Sequence, residues 1–245
     1  QENTTYHFLP KRANNRLIVL QHGHACTFDD ARDPRGAGMA HAIDEFLGSG
    51  YAVLAAYMPH MRPGDCRTVP HHRMWNLPVS SGSPLKFFLE PVAVSLNALQ
   101  SKYKAIHMAG LSGGGWTTTV YAAIDTRIRT SFPVAGTIPL YLRSAGSIGD
   151  KDQYLDEFYR LAGYPDLYFL GALGRKQIQI LNRKDDCCFG EAQHSVAQTG
   201  LDAARPLLDS ISDLMGWVSF FENFIQIACL MFAWALILLA FFFLA

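Results

Sequence analysis

Residues 105–124 read AIHMAGLSGGGWTTTVYAAI, and this stretch decides the fold. Its first five residues form an apolar run that predicts a strand, and residues 116–124 predict a helix. Between them, residues 110–114 (GLSGG) fit the pattern G-x-S-x-G in the strand-to-helix context that the pattern requires. Glycine on both sides of Ser112 removes side chains that would clash with backbone in so tight a turn. The stretch therefore predicts a serine hydroxyl exposed at a helix N-terminus, where the helix dipole favours negative charge.

Strand and helix patterns alternate on both sides of this stretch. The predicted strands are 16–20, 51–57, 105–109, 128–134 and 177–181, and the predicted helices are 39–47, 85–103, 116–124 and 152–163. Such alternation predicts an α/β fold with a mostly parallel sheet and helices on both faces. In such sheets the chemistry lies at the carboxyl ends of the strands, which is where Ser112 is expected.

The pattern predicts one α/β domain over residues 1–215, because a chain of 245 residues suits a single unit of this class. Residues 138–171 interrupt the alternation and predict a small cap insertion. Its aromatic residues either line an acyl or aromatic pocket or pack the insertion onto the sheet. These residues are Tyr141, Tyr154, Phe158, Tyr164 and Tyr168.

Residues 216–245 form an apolar C-terminal segment that the α/β pattern of residues 1–215 does not explain. The chain has 21 basic and 21 acidic residues, and the last charged residue is Glu222. Residues 227–245 are uncharged and apolar throughout, which is long enough for a membrane-spanning helix. A buried terminal strand and helix, or a reading frame whose 3′ end is not authentic, are the alternatives. The net charge of zero gives no indication of a nucleic-acid partner.

Residues 22–24 (His-Gly-His) follow the first predicted strand and point to an oxyanion hole. A serine that attacks a carbonyl group needs two backbone N–H donors for the developing negative charge, as well as a base and a residue that orients the base. One expected donor is the residue after the nucleophile, Gly113, and the other comes from the loop after an early strand. Gly23 permits close approach of that loop, so we assign the second donor to His24, with Ala25 as the alternative.

The order of these motifs over residues 16–190 resembles that of the α/β-hydrolase superfamily, particularly its esterase and peptidase-like branches. The resemblance implies a catalytic acid after the strand that follows the cap. Asp185 is preferred for this role and Asp186 is the alternative. The family order of serine, acid and histidine leaves His194 as the base, because it is the one histidine after Ser112.

His194 lies only nine residues after Asp185, which is too short for the helix and strand that the family inserts there. It either folds back over Ser112 from a long loop or is a surface histidine. His107 lies inside a predicted strand, and His71 and His72 lie on a loop but in the wrong chain order for a base.

The sequence as a whole predicts a serine hydrolase that cleaves a small-molecule ester through an acyl-enzyme on Ser112. A peptidase of the same fold is one alternative, and a catalytically impaired, membrane-attached protein of this fold is another. No cofactor or metal is expected, since the five cysteines lack the spacing of a metal site. The odd cysteine count leaves the cellular compartment undecided.

Overall fold

The computed structural model describes residues 4–24, 39–61, 71–143 and 148–181. Within these ranges the strands are β1 (Thr5–Phe8), β2 (Arg16–Gln21), β3 (Ala52–Ala56), β4 (Ala105–Leu111), β5 (Ile128–Val134) and β6 (Lys176–Gln177). The α-helices are α1 (Met39–Gly48), α2 (Lys86–Leu99), α3 (Gly113–Ile124), α4 (Asp156–Tyr159) and α5 (Tyr164–Ala172). Short 3₁₀ segments cover His71–Asn76, Gln100–Lys102, Leu140–Leu142 and Lys151–Gln153.

The strands of the described ranges form one sheet in the order β1-β3-β2-β4-β5-β6. All neighbours run parallel except β1, which pairs antiparallel with β3 at the edge, with Thr5 opposite Ala56 and Phe8 opposite Val53. The predicted α/β class with a mostly parallel sheet is therefore confirmed. The short edge strand β1 has only four residues of mixed exposure, which is too little for a recognisable alternation pattern.

Side chains of β2 alternate between two separate cores, as the two-residue period of a strand requires. Leu17 and Val19 are fully buried with residues of α2 and α3 on one face of the sheet. Ile18 and Leu20 lie on the opposite face and are buried with residues of α1. Helices therefore cover both faces of the sheet, as predicted.

The predicted helix over residues 152–163 is wrong. The chain leaves helical geometry at Leu155 (φ −60°, ψ 109°), so the region divides into the 3₁₀ segment Lys151–Gln153 and the single turn α4. A second extended residue, Gly163, precedes α5. The aromatic spacing that suggested one helix comes from α4 and its neighbours, whose Phe158 and Tyr159 pack on the cluster around Trp116.

In the ranges that the structure describes, no helix is long and apolar enough to cross a bilayer. Segment 216–245, for which the apolar run predicts a membrane helix, lies outside those ranges.

Candidate active site

Ser112 lies between the end of β4 and the start of α3, at the carboxyl edge of the sheet. Its backbone has φ 82° and ψ −114°, a conformation that side-chain-bearing residues rarely adopt and that costs about 1–3 kcal/mol. Two hydrogen bonds hold it there. The N–H of Ser112 donates to the carbonyl oxygen of Val134 at 2.9 Å, and the N–H of Trp116 donates to that of Ser112 at 2.9 Å. The surrounding backbone therefore fixes the serine in a strained turn.

The glycines around Ser112 are required because neighbouring backbone atoms occupy the space that a side chain at these positions would need. A Cβ on Gly110 would overlap the carbonyl oxygen of Gly114, and a Cβ on Gly114 would overlap that of Gln21 in β2. A Cβ on Gly115 would lie 2.6 Å from the carbonyl oxygen of Val134 in β5. The first turn of α3 is thus wedged between the ends of two strands, and this contact sets the position of the serine.

The loop after β2 passes directly over this turn. A Cβ on Gly23 would lie 2.5 Å from the carbonyl oxygen of Leu111 and 3.1 Å from Cβ of Ser112, so only glycine fits. The next residue, His24, is close to the residue after the serine, because its Cε1 would lie 3.2 Å from a Cβ on Gly113. The structure therefore brings together the two residues predicted to form the oxyanion hole.

The N–H of Gly113 belongs to the first turn of α3, where backbone donors have no partner within the helix. Met58 closes this region from the side of β3, since its sulfur occupies the space of a side chain on Gly113. Met58 is buried. Sequence analysis missed Met58. Its position two residues beyond β3 places it at the same edge of the sheet as Ser112, and this position could have identified it as a residue of the site.

The imidazole of His24 pairs with a carboxylate of the insertion. Its Nε2 lies 2.9 Å from Oδ2 of Asp150. This hydrogen bond raises the pKa of His24 against the opposing effect of desolvation, and the negative charges of Asp150 and Asp152 act in the same direction. No local pattern in the sequence indicates this pair, because its members are far apart along the chain.

Asp152 is a second carboxyl group of the insertion, with 0% of its surface exposed. Among the described residues, neither of its oxygens has a hydrogen-bond partner of good geometry, although its own backbone N–H favours the charged form and is the largest effect that opposes burial. Burial raises the pKa of Asp152 to about 7, the charge of Asp150 adds to this shift, and the charges of His24 and Arg143 oppose it. A carboxyl group that takes up a proton near neutral pH therefore lies close to the His24–Asp150 pair.

The acid and base predicted from the resemblance, Asp185, Asp186 and His194, lie outside the described residues. The described chain before them ends beside the serine turn. The N–H of Ala135 donates to the carbonyl oxygen of Ile180 at 2.8 Å, directly after Val134, whose own carbonyl accepts from Ser112. Residue Ile180, near the end of the described range 148–181, thus lies next to the strand end that holds Ser112.

The other histidines considered as bases have different surroundings. His107 lies within β4 in edge-to-face contact with Tyr51, and burial lowers its pKa. His71 and His72 begin a 3₁₀ segment, and their side chains are not among those described.

The aromatic residues of the insertion divide into two groups. Tyr164 and Tyr168 are buried and hydrogen-bonded, to the carbonyl oxygen of Gln153 at 2.9 Å and to Thr137 at 3.0 Å. Both rings also belong to the buried cluster that contains Phe88 and Trp116, so these two tyrosines pack the insertion onto the body of the fold. Tyr141 is 77% exposed and Tyr154 is 40% exposed.

No protein-family model and no curated protein sequence matches this chain. Solved structures do. One is a protein from Klebsiella pneumoniae assigned as a dienelactone hydrolase, with 16% identity, a TM-score of 0.52, and coverage of 84% of this chain and 77% of that chain. Another is Est1E from Butyrivibrio proteoclasticus, with 17% identity, a TM-score of 0.50, and coverage of 79% of this chain and 77% of that chain.

A structure of Est1E with ferulic acid bound matches over 58% of this chain and 52% of that chain, with 19% identity and a TM-score of 0.39. At this level of identity the likenesses concern the fold. The two structures with TM-scores of 0.50 and 0.52 carry this likeness, which covers 79% and 84% of this chain. The chain therefore has the α/β-hydrolase fold.

Proposed function

We propose that this chain is a serine hydrolase that cleaves carboxylic esters of small molecules through an acyl-enzyme on Ser112. The observation that carries the proposal is the strained conformation of Ser112 at the start of α3. Strain at a non-glycine residue persists where the surrounding structure enforces it, and such residues cluster at active sites. The fold is shared with a protein assigned as a dienelactone hydrolase, whose named substrate is a lactone, a cyclic ester.

In the proposed reaction, Oγ of Ser112 attacks the carbonyl carbon of the ester and gives its proton to the imidazole of His194. The carbonyl oxygen becomes negatively charged and accepts hydrogen bonds from the N–H groups of Gly113 and His24. The tetrahedral intermediate then expels the alcohol, which takes the proton from His194. Water cleaves the resulting acyl-Ser112 ester by the same steps. Asp185, or Asp186 in its place, orients the imidazole, and the reaction needs no metal ion or cofactor.

The test compares the full chain with its Ser112→Ala variant, using a fluorophosphonate probe and a 4-nitrophenyl ester. We expect the variant to lose labelling and to lose at least about 10³-fold in kcat, because removal of a nucleophile abolishes the covalent route. Ser95→Ala is the matched control. Ser95 lies in α2 and donates to the carbonyl oxygen of Pro91 at 2.7 Å, and this variant should keep both labelling and turnover.

Several outcomes contradict parts of the proposal. Equal labelling of wild type and Ser112→Ala rules out Ser112 as the nucleophile, and full turnover in His194→Ala rules out His194 as the base. Faster cleavage of an aminoacyl arylamide than of the aryl ester favours a peptidase of this fold. A wild-type chain with neither labelling nor turnover favours the catalytically impaired alternative. A membrane helix within 216–245 stays a prediction, and the ester chemistry does not depend on it.

A further inference from the structure

The segment that carries Asp150 is held by contacts that fix its geometry. Arg143 donates from Nη1 to the carbonyl oxygen of Ile148 at 2.7 Å and to Oε1 of Gln153 at 2.9 Å. Gly149 between them has φ 94°, and a Cβ there would lie 2.7 Å from the same Oε1. The N–H of Gln153 donates to the carbonyl oxygen of Asp150 at 2.8 Å and closes the turn.

This segment is also anchored to the helix that follows Ser112. The carbonyl oxygen of Gln153 accepts from the hydroxyl of Tyr164 at 2.9 Å, and that hydroxyl accepts from Tyr159 at 2.8 Å. Tyr159 in turn accepts from Nε1 of Trp116 at 2.7 Å. The carboxylate of Asp150 is therefore held in place relative to α3, which begins at the residue after Ser112.

The carboxylate meets the protein body at His24, with Oδ2 of Asp150 at 2.9 Å from Nε2. His24 lies on a loop that follows β2, and its ring lies over Gly113. A backbone donor on a loop can stabilise a developing oxyanion only if the loop is held in place before the reaction. The hydrogen bond from Asp150 restrains the loop at the donor residue itself, because it is made to the side chain of His24.

We propose that Asp150 is a positioning residue of the oxyanion hole, which holds the His24 side chain and thereby fixes the His24 N–H over the turn of Ser112. The inference rests on the proposed function, in which that N–H is the second oxyanion donor. It gives the insertion a direct part in catalysis, because the insertion supplies the carboxylate that completes the geometry of the loop after β2.

The experiment measures kcat and KM for a 4-nitrophenyl ester in the full chain, with kcat expressed per site labelled by the fluorophosphonate probe. This normalisation removes misfolded molecules from the comparison. The variants are Asp150→Ala, Asp150→Asn, His24→Ala and the double variant with alanine at both positions. The control is Asp156→Ala, which removes an exposed carboxylate of the same insertion that pairs with Arg160.

We expect Asp150→Ala to lower kcat about tenfold while KM changes less than twofold, since loss of a complete oxyanion donor costs about 10²–10³-fold and here the donor is displaced rather than removed. Asp150→Asn keeps an acceptor oxygen and should recover part of the loss. In the double variant, kcat should be no lower than in His24→Ala, because Asp150 acts through His24. Asp156→Ala should match the wild type.

A kcat within twofold of the wild type in Asp150→Ala overturns the inference and leaves the proposed function intact. A double variant whose losses multiply also overturns it, since Asp150 then acts independently of His24. A wild-type chain that the probe does not label on Ser112 overturns the proposed function, and the inference with it.

Discussion

The turn around Ser112 packs backbone against backbone, whereas the insertion is joined by hydrogen bonds from polar side chains to other side chains and to backbone carbonyl groups. In the turn, carbonyl groups of Gln21 and Val134 fill the space that side chains on Gly114 and Gly115 would need. In the insertion, Arg143 and the tyrosines connect segments through their polar atoms. The turn can form only if residues 114 and 115 have no side chains. The insertion, in contrast, depends on the hydrogen-bonding atoms of particular side chains.

The two regions are therefore expected to respond differently to substitutions and to pH. Close-packed backbone cannot accept an additional methyl group without moving a strand or a helix, whatever the pH. A network of buried polar groups can keep its shape when a single oxygen is removed, but it then loses stability because the partner group is left without a hydrogen bond. Its stability also depends on pH where a carboxyl group takes part.

The largest effect is expected for Gly114→Ala in the turn. The new methyl group would overlap the carbonyl oxygen of Gln21 and lie 2.8 Å from that of His22, and backbone atoms cannot rotate away as a side chain can. We expect the free energy of unfolding to fall by about 4 kcal/mol or more, measured by urea denaturation. Gly48→Ala at the end of α1 is the control, because a Cβ there meets nothing within 4 Å. Equal stabilities of the two variants would contradict the backbone packing described for the turn.

The sequence predicted the turn and much of the fold because both depend on local patterns. Strand β5 has the predicted bounds of 128–134. Helix α3 begins at Gly113 rather than at the predicted residue 116, because glycine is a poor helix former and three in a row conceal the start. Close approach to β2 and β5 overrides that intrinsic preference.

The insertion could not be predicted in the same way, since its contacts join residues that are far apart in the chain. The failed helix over 152–163 shows the reason. Its aromatic spacing is real, but the non-helical residue Leu155 separates Tyr154 from Phe158 and Tyr159, so the three do not share one continuous helix. The sequence pointed to Gly113 as the residue after Ser112 and to His24 through the pattern around Gly23, whereas nothing near Asp150 indicates that it pairs with His24.

The next largest effect concerns the pH dependence of stability in the insertion. The pKa of Asp152 is about 7 in the folded chain, against an ordinary 3.8 when unfolded, so the folded state retains a proton that the unfolded state has lost. The stability due to this proton is fully present below pH 3.8 and is lost as the pH rises through about 7. In Asp152→Asn, this loss of about 3–4 kcal/mol between pH 4 and pH 8 should disappear.

Urea unfolding of wild type and Asp152→Asn at pH 4 and pH 8 measures this difference. The charged groups that face Asp152 (Asp150, His24 and Arg143) remain in the variant, and titrating groups away from this cluster contribute equally to both chains. Asp156→Asn, in an exposed ion pair with Arg160, is the control and should follow the wild type. A stability difference between wild type and Asp152→Asn that stays constant with pH would show that Asp152 does not bind the proton.

The smallest of these effects is expected for Tyr159→Phe, which removes one oxygen and leaves the aromatic ring. The fully buried indole of Trp116 donates to that oxygen at 2.7 Å, so the variant leaves a buried N–H without its acceptor. We expect a loss of about 2 kcal/mol in the free energy of unfolding, within the usual cost of an unsatisfied buried donor. Tyr141→Phe, at a tyrosine that is 77% exposed, should change the stability by less than about 0.5 kcal/mol. If both variants retain wild-type stability in urea, packing of the rings rather than hydrogen bonding joins the insertion to α3, and the contrast between the two regions is smaller than their contacts indicate.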